Sequence, residues 1–193
     1  MRAQAQTLEG IAAAVLVIAG VSFALQATAV TPLSASTSNQ HVENQLRATA
    51  GSLLDSAIAN DSLVPALTRW NSTDNSFNDS SDLGYFVQGG PPGAFGGALN
   101  ETFIDEQIAT NVLVQYYDEN GTRARQRLVY MGEPSDNAVS ATRTVVLYND
   151  TAVSGSYANV SEAAANDAFY APDAAPGSEL FNVMEVKIVV WRI

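Results

Sequence analysis

The chain has 193 residues, with 20 Asp and Glu against 9 Lys and Arg, a formal net charge of -11 and no cysteine. That length holds one domain of ordinary size plus a terminal segment. The charge excludes nucleic acid as a partner, which needs a basic face, and the missing cysteine excludes disulfides, thiol nucleophiles and lipid attachment through sulfur.

Only one of the basic residues, Lys187, is a lysine. An acidic surface that keeps arginine and loses lysine points to salt adaptation ahead of ordinary solubilising charge.

Residues 4 to 25 read QAQTLEGIAAAVLVIAGVSFAL. From Ile11 to Val30 the only strongly polar side chain is Gln26, and about 20 helical residues reach roughly 30 Å, one bilayer core. The segment is long enough to span a membrane, and Arg2, the one basic residue before it, puts the N-terminus on the cytoplasmic side and the rest outside. Glu9 lies directly against the run, where a carboxylate is costly unless something pairs with it.

Thr31-Pro32 interrupts the apolar stretch, and Thr37 and Gln40 have capping-box spacing. A second, amphipathic helix follows to about Asn60. Its stripe is Val42, Leu46, Ala50, Leu53 and Ala57, with Leu54 and Ile58 beside it, and Glu43 with Arg47 forms an i,i+4 pair.

Residues 71–98 read as loop, polar in NSTDNSFNDSSD and broken by Gly and Pro in GGPPGAFGG, with one strand at LGYFVQ. A short helix is expected over 101–110. The period then changes to two: 112–117 and 122–131 form a hairpin around DENG, 142–148 a third strand, and 181–193 an apolar strand central to its sheet. Between the last two strands, 159–170 carries a short helix begun by Ser161, and 171–177 is loop. The expected fold class is α+β: a long N-terminal helix, membrane half plus amphipathic half, packed on an antiparallel β-sheet.

Catalytic chemistry has little to work with. His41, the only histidine, falls in the first turn of a polar stalk and reads as a surface residue. Asp74, Asn78, Asp79 and Asp82 lack the spacing and closing glutamate of an EF-hand loop and read as solvated. GGPPGAFGG has no Gly-Lys-Ser/Thr and is not a phosphate cradle. No metal or cofactor is expected.

Seven asparagines, Asn60, Asn71, Asn78, Asn100, Asn120, Asn149 and Asn159, stand in N-x-[ST], where chance would place about two. They favour an exported, N-glycosylated domain over mere polar composition. Arg123, Arg125 and Arg127 alternate along one strand and project from one face, either as a solvated surface or as a docking stripe for an acidic neighbour.

Three readings of the N-terminus compete: a plain signal anchor, a secretory signal cut at Ala27-Thr28-Ala29, and a prepilin-type leader. Arg2-Ala3 before Gln4-Ala5, with Glu9 following, resembles the archaeal type IV pilin-like leader. A cut after Ala3 makes Glu9 the sixth mature residue, and a cut after Gln4 makes it the usual fifth. STSNQHVENQ (36–45), PSDNAVSATRTVVLYND (134–150) and FYAPDAAPGSELFNVMEVKIVVWRI (169–193) are similar to segments of pilin-like membrane proteins of halophilic archaea.

The resemblance implies a leader over 1–3, an assembly and membrane helix over 4–30, an amphipathic helix over 31–60 and an extracytoplasmic β-rich domain over 61–193. It also implies that Glu9 meets the N-terminal amine of a neighbouring subunit and that the partners are the membrane, other pilin-like subunits and an assembly platform; it brings no known active site. The expected function is a minor pilin-like subunit of a surface assembly. The alternatives are a membrane-anchored interaction module that does not polymerise and, from another class, a secreted enzyme.

Overall fold

A computed structural model describes residues 2–192, with side chains described for 9–25 and 40–192. The architecture is α+β with antiparallel sheets. Contacts divide the chain into two compact units, Met1–Val42 and Glu43–Ile193, each described by itself. Helix α1 (Arg2–Ala59) supplies residues to both. The break expected at Thr31-Pro32 and the restart expected at Thr37 do not form, since α1 runs through both as one helix; the side chains of 26–39 lie outside those described.

In the second unit, the end of α1 buries Ala50, Leu53, Leu54 and Ala57, positions three and four apart that form one stripe. Ile58, expected beside that stripe, is instead 38% exposed. The expected Glu43–Arg47 pair is also replaced, since Arg47 donates to Asn44 Oδ1 at 2.8 Å. The stripe belongs to the same core as the short helix α2 (Leu63–Leu67) and the inner face of a four-stranded sheet.

That sheet comprises β3 (Ile108–Tyr117), β4 (Arg123–Tyr130), β5 (Val139–Tyr148) and β6 (Leu180–Arg192), in the order β4-β3-β6-β5. The C-terminal strand is therefore central, as its apolar sequence requires. Val112, Val114, Met184, Val186, Ile188, Val190 and Leu147 are fully buried on the inner face. On that side Arg143 of β5 reaches α1, where Nε and Nη2 donate to the two carboxylate oxygens of Asp55 at 2.5 and 2.7 Å. The β3–β4 hairpin closes through Asp118, whose Oδ1 accepts from the amides of Asn120 and Thr122, with Gly121 at φ 72°.

Several local expectations need correction. The helix expected over 101–110 begins earlier, as α3 (Ala94–Leu99) continued by a π-helical turn (Asn100–Ile104), while 108–110 already belong to β3. Phe95, Leu99 and Phe103 are buried at i, i+4 and i+8, and that period outweighs the glycines. Gly96 is required here, because a Cβ on it would lie 1.7 Å from the Pro91 carbonyl oxygen.

LGYFVQ forms no strand. It contributes one parallel bridge, Phe86 with Val129. The polar loop contains a two-stranded sheet, β1 (Trp70–Asn71) and β2 (Ser76–Phe77), paired through Trp70 and Phe77. Trp70, Phe77 and Tyr170 pack together with ring centroids 5.1–5.6 Å apart. The Tyr170 hydroxyl donates to the Leu67 carbonyl oxygen at 3.1 Å, and burial of that hydroxyl pushes its pKa above the ordinary tyrosine value.

The last helix, α4 (Val160–Ala165), is capped by Asn159 and not begun by Ser161. Asn159 Oδ1 accepts from the Glu162 amide at 2.8 Å, and Glu162 accepts from the Ala158 amide at 2.9 Å.

Candidate functional site

Two features stand apart from packing, one in each unit. The first is the apolar segment of α1. Eight large apolar side chains between Ile11 and Leu25 are each 55–76% exposed. Val15, Leu16, Val17 and Ile18 are consecutive, so at about 100° per residue they occupy every side of the helix. A helix apolar all round is one that something covers. Covering a side chain of this size contributes about 1.5–3 kcal/mol, so the set contributes on the order of 10–20 kcal/mol.

Glu9 is exposed at the head of this run and has no partner among the described residues. Bringing one carboxylate to a bilayer centre costs about 2.5–3.5 kcal/mol on insertion scales, so Glu9 cannot outweigh the apolar term. No helix among the described residues is long and apolar enough to cross a membrane. The expected span continues through 26–30, whose side chains lie outside those described, as do those of the expected cleavage residues Ala3 and Gln4.

The second feature is the outer face of the sheet. Pairing aligns Arg127, Leu113, Lys187 and Thr142 in one row, and Arg125, Gln115, Glu185 and Thr144 in the next. Arg123, Arg125 and Arg127 are all exposed on this face. With Lys187 they make four of the chain's nine basic residues, while Glu185 is the single carboxylate within the four strands. Glu185 lies 3.5 Å from Arg123, which leaves the other three cations without an acidic partner among the strand residues.

At one end of this face a cavity of about 590 Å³ is lined by Tyr85, Leu113, Arg125, Arg127, Tyr130 and Val189, among others. Arg127 stacks 4.2 Å from the Tyr130 ring centroid and 5.6 Å from that of Tyr85, and the two rings meet edge to face at 5.8 Å. The Tyr130 hydroxyl donates to the Glu133 carboxylate, which raises the hydroxyl's pKa above the usual tyrosine value. Asn111 braces the wall, donating to the Gly132 carbonyl and accepting from the Met131 amide, each at 2.8 Å.

Strict alternation would turn Tyr130 away from Arg127, which is why reading the sequence missed this site. A bulge opposite Val112/Leu113 inserts one extra residue into β4 and returns Tyr130 to the arginine face.

The seven sequons occupy different settings. Asn60 is exposed just beyond α1, and Asn120 is exposed at the hairpin tip. Asn149 Nδ2 donates to the Ser178 carbonyl oxygen at 2.7 Å, Asn71 Nδ2 donates to Asp74 at 2.7 Å, Asn100 Oδ1 accepts from the Gly90 amide at 2.7 Å, and Asn159 caps α4. Asn78 is half-buried, and its amide donates to the Arg69 carbonyl oxygen at 2.9 Å.

His41 is exposed, and Asp79 pairs with Arg69 at 2.6 Å. Among the described residues no group of three His, Asp or Glu side chains is placed to hold a metal ion.

An α+β unit with an antiparallel sheet, preceded by an apolar helical segment, is the class of molecule these observations define. Residues 2–190 match the family of unknown function DUF7288, and the chain belongs to that family. No curated protein and no solved structure matches it.

Proposed function

We propose that the chain is a pilin-like subunit of a type IV pilus-like or secretion-like surface assembly, a structural component and not an enzyme. Residues 4–30 are the membrane and assembly helix, which continues into the α1 segment packed on the sheet, and the unit beginning at Glu43 is carried outside the cell. The observation that supports this most is the exposure of Val15, Leu16, Val17 and Ile18 on every side of the helix. A groove on a partner protein covers one stripe, whereas lipid or a bundle of identical helices covers the whole circumference.

Glu9 then contributes specificity. Held beside hydrocarbon, its carboxylate is satisfied by the amine that a cut after Ala3 or Gln4 frees on a neighbouring subunit. Intact mass and N-terminal sequencing of protein from its native membrane test this: a start at Gln4 or Ala5 is expected. An intact Met1 overturns the pilin reading in favour of a membrane-anchored module that does not polymerise, and a start at Val30 does so in favour of a released domain. Glu9→Ala is expected to leave the protein in the membrane and lower its recovery in sheared filaments.

Export also exposes the sequons to glycosylation. Asn60 and Asn120 are the expected sites, because they are the two of the seven asparagines that are exposed. Glycopeptide mass spectrometry reads the occupancy of each.

A further inference from the structure

The cationic face has a built cavity at one end, and its two arginines differ. Arg127 is fixed by Tyr85 and Tyr130. Arg125, two residues away on the same face and lining the same cavity, has no ion pair or ring partner among the described residues. The cavity's own carboxylate, Glu133, accepts from Tyr130. In a chain of net charge -11, a cavity lined by two guanidinium groups and one carboxylate keeps a net positive charge, which suits an anionic ligand.

The shape narrows the choice of ligand. One side of the Tyr130 ring is taken by Arg127. Leu113 and Val189 offer an apolar floor, and Leu83, 66% exposed, stands at the rim. β4 is an edge strand, and Phe86 bridges it only at Val129, so the Arg123–Gln126 half has no strand on its outer side. An extended peptide can pair with such an edge while alternate side chains enter the cavity.

We propose that this cavity is a carboxylate-binding site for an extended acidic segment of a partner protein, one that places apolar residues beside its carboxylates. Arg125 takes a carboxylate through its fork of donors, Arg127 and the tyrosines supply a fixed charged wall, and Leu113 with Val189 receives the adjacent apolar side chain. The site is independent of the membrane helix, so Glu9→Ala is expected to leave it unchanged.

The test uses the full chain in detergent micelles and a fluorescein-labelled peptide of alternating glutamate and leucine, followed by anisotropy. The glutamate peptide is expected to bind and its glutamine counterpart not to. Arg125→Gln, which removes no ring contact, is expected to weaken binding about tenfold or more, while Arg47→Gln on α1 leaves it unchanged and both variants keep the parent's near-UV circular dichroism. Equal binding of the two peptides, or equal loss in Arg47→Gln, would overturn the proposal by reducing the effect to apolar adhesion or diffuse charge. Binding of polygalacturonate that requires Arg125, with no binding of the glutamate peptide, would overturn the peptide class and assign the site to an acidic polysaccharide.

Discussion

Residues 9–25 and the unit from Glu43 onward handle apolar side chains in opposite ways. In the second unit Phe95, Phe103, Phe181, Met184 and Ile188 are almost wholly buried and charge lies outside, so the fold carries its own cover. In the segment from Ile11 to Leu25, the apolar side chains of the same helix that later supplies the Leu53–Leu54 stripe are exposed on all sides. One region owes its stability to its own chain, and the other to whatever surrounds it. The contrast separates two kinds of mutational effect, which different measurements read.

The largest effect is expected from Phe103→Ala, where deleting a fully buried ring in the π turn costs about 3–5 kcal/mol. A lowered urea midpoint, with an unchanged fraction of protein in the membrane, would show the regions to be energetically separate. Ile18→Arg is the reciprocal change. It should cost about 3 kcal/mol of insertion, lowering the carbonate-resistant membrane fraction and leaving the urea midpoint alone. If either substitution moves both readouts equally, the comparison fails.

A smaller change, Asn159→Ala, removes the cap of α4 and is expected to cost about 1 kcal/mol, read by thermal unfolding. The smallest concerns Asp55 and Arg143. The guanidinium that donates to Asp55 holds its carboxyl below the ordinary carboxylate range. Its stabilisation is therefore present above that range and lost as pH falls through the depressed value. Because the pair is at the surface, the effect is small. Asp55→Asn should flatten the acid limb of stability against pH, and an unchanged limb would show that the pair contributes nothing.

Much of the fold was legible because period and turn chemistry agree. Asn120-Gly121 marks the hairpin, and FNVMEVKIVVWRI is too apolar for an edge. What was misread over 71–98 shares one cause, long-range contact overriding a local signal. The glycines near Phe95 read as loop, yet Gly96 is the residue that lets a helix approach the Pro91 carbonyl. LGYFVQ has a strand's composition, but β4 bridges only its Phe86.

The candidate sites divide similarly. The arginine stripe follows from simple alternation. The cavity does not, because Tyr130 reaches Arg127 only through a bulge defined by the register of β3, and Tyr85 arrives from a segment remote in sequence. The aromatic part of that site was therefore invisible until the strands were paired.

The absence of cysteine from the chain makes accessibility labelling clean, and it is the most direct test of the central claim that lipid or neighbouring helices cover the apolar segment. In intact cells Val17→Cys should resist a membrane-impermeant maleimide until detergent is added, while Asn120→Cys at the hairpin tip should react at once. Labelling of Val17→Cys as fast as Asn120→Cys in intact cells would show the helix to be uncovered, and the account built on it would be wrong.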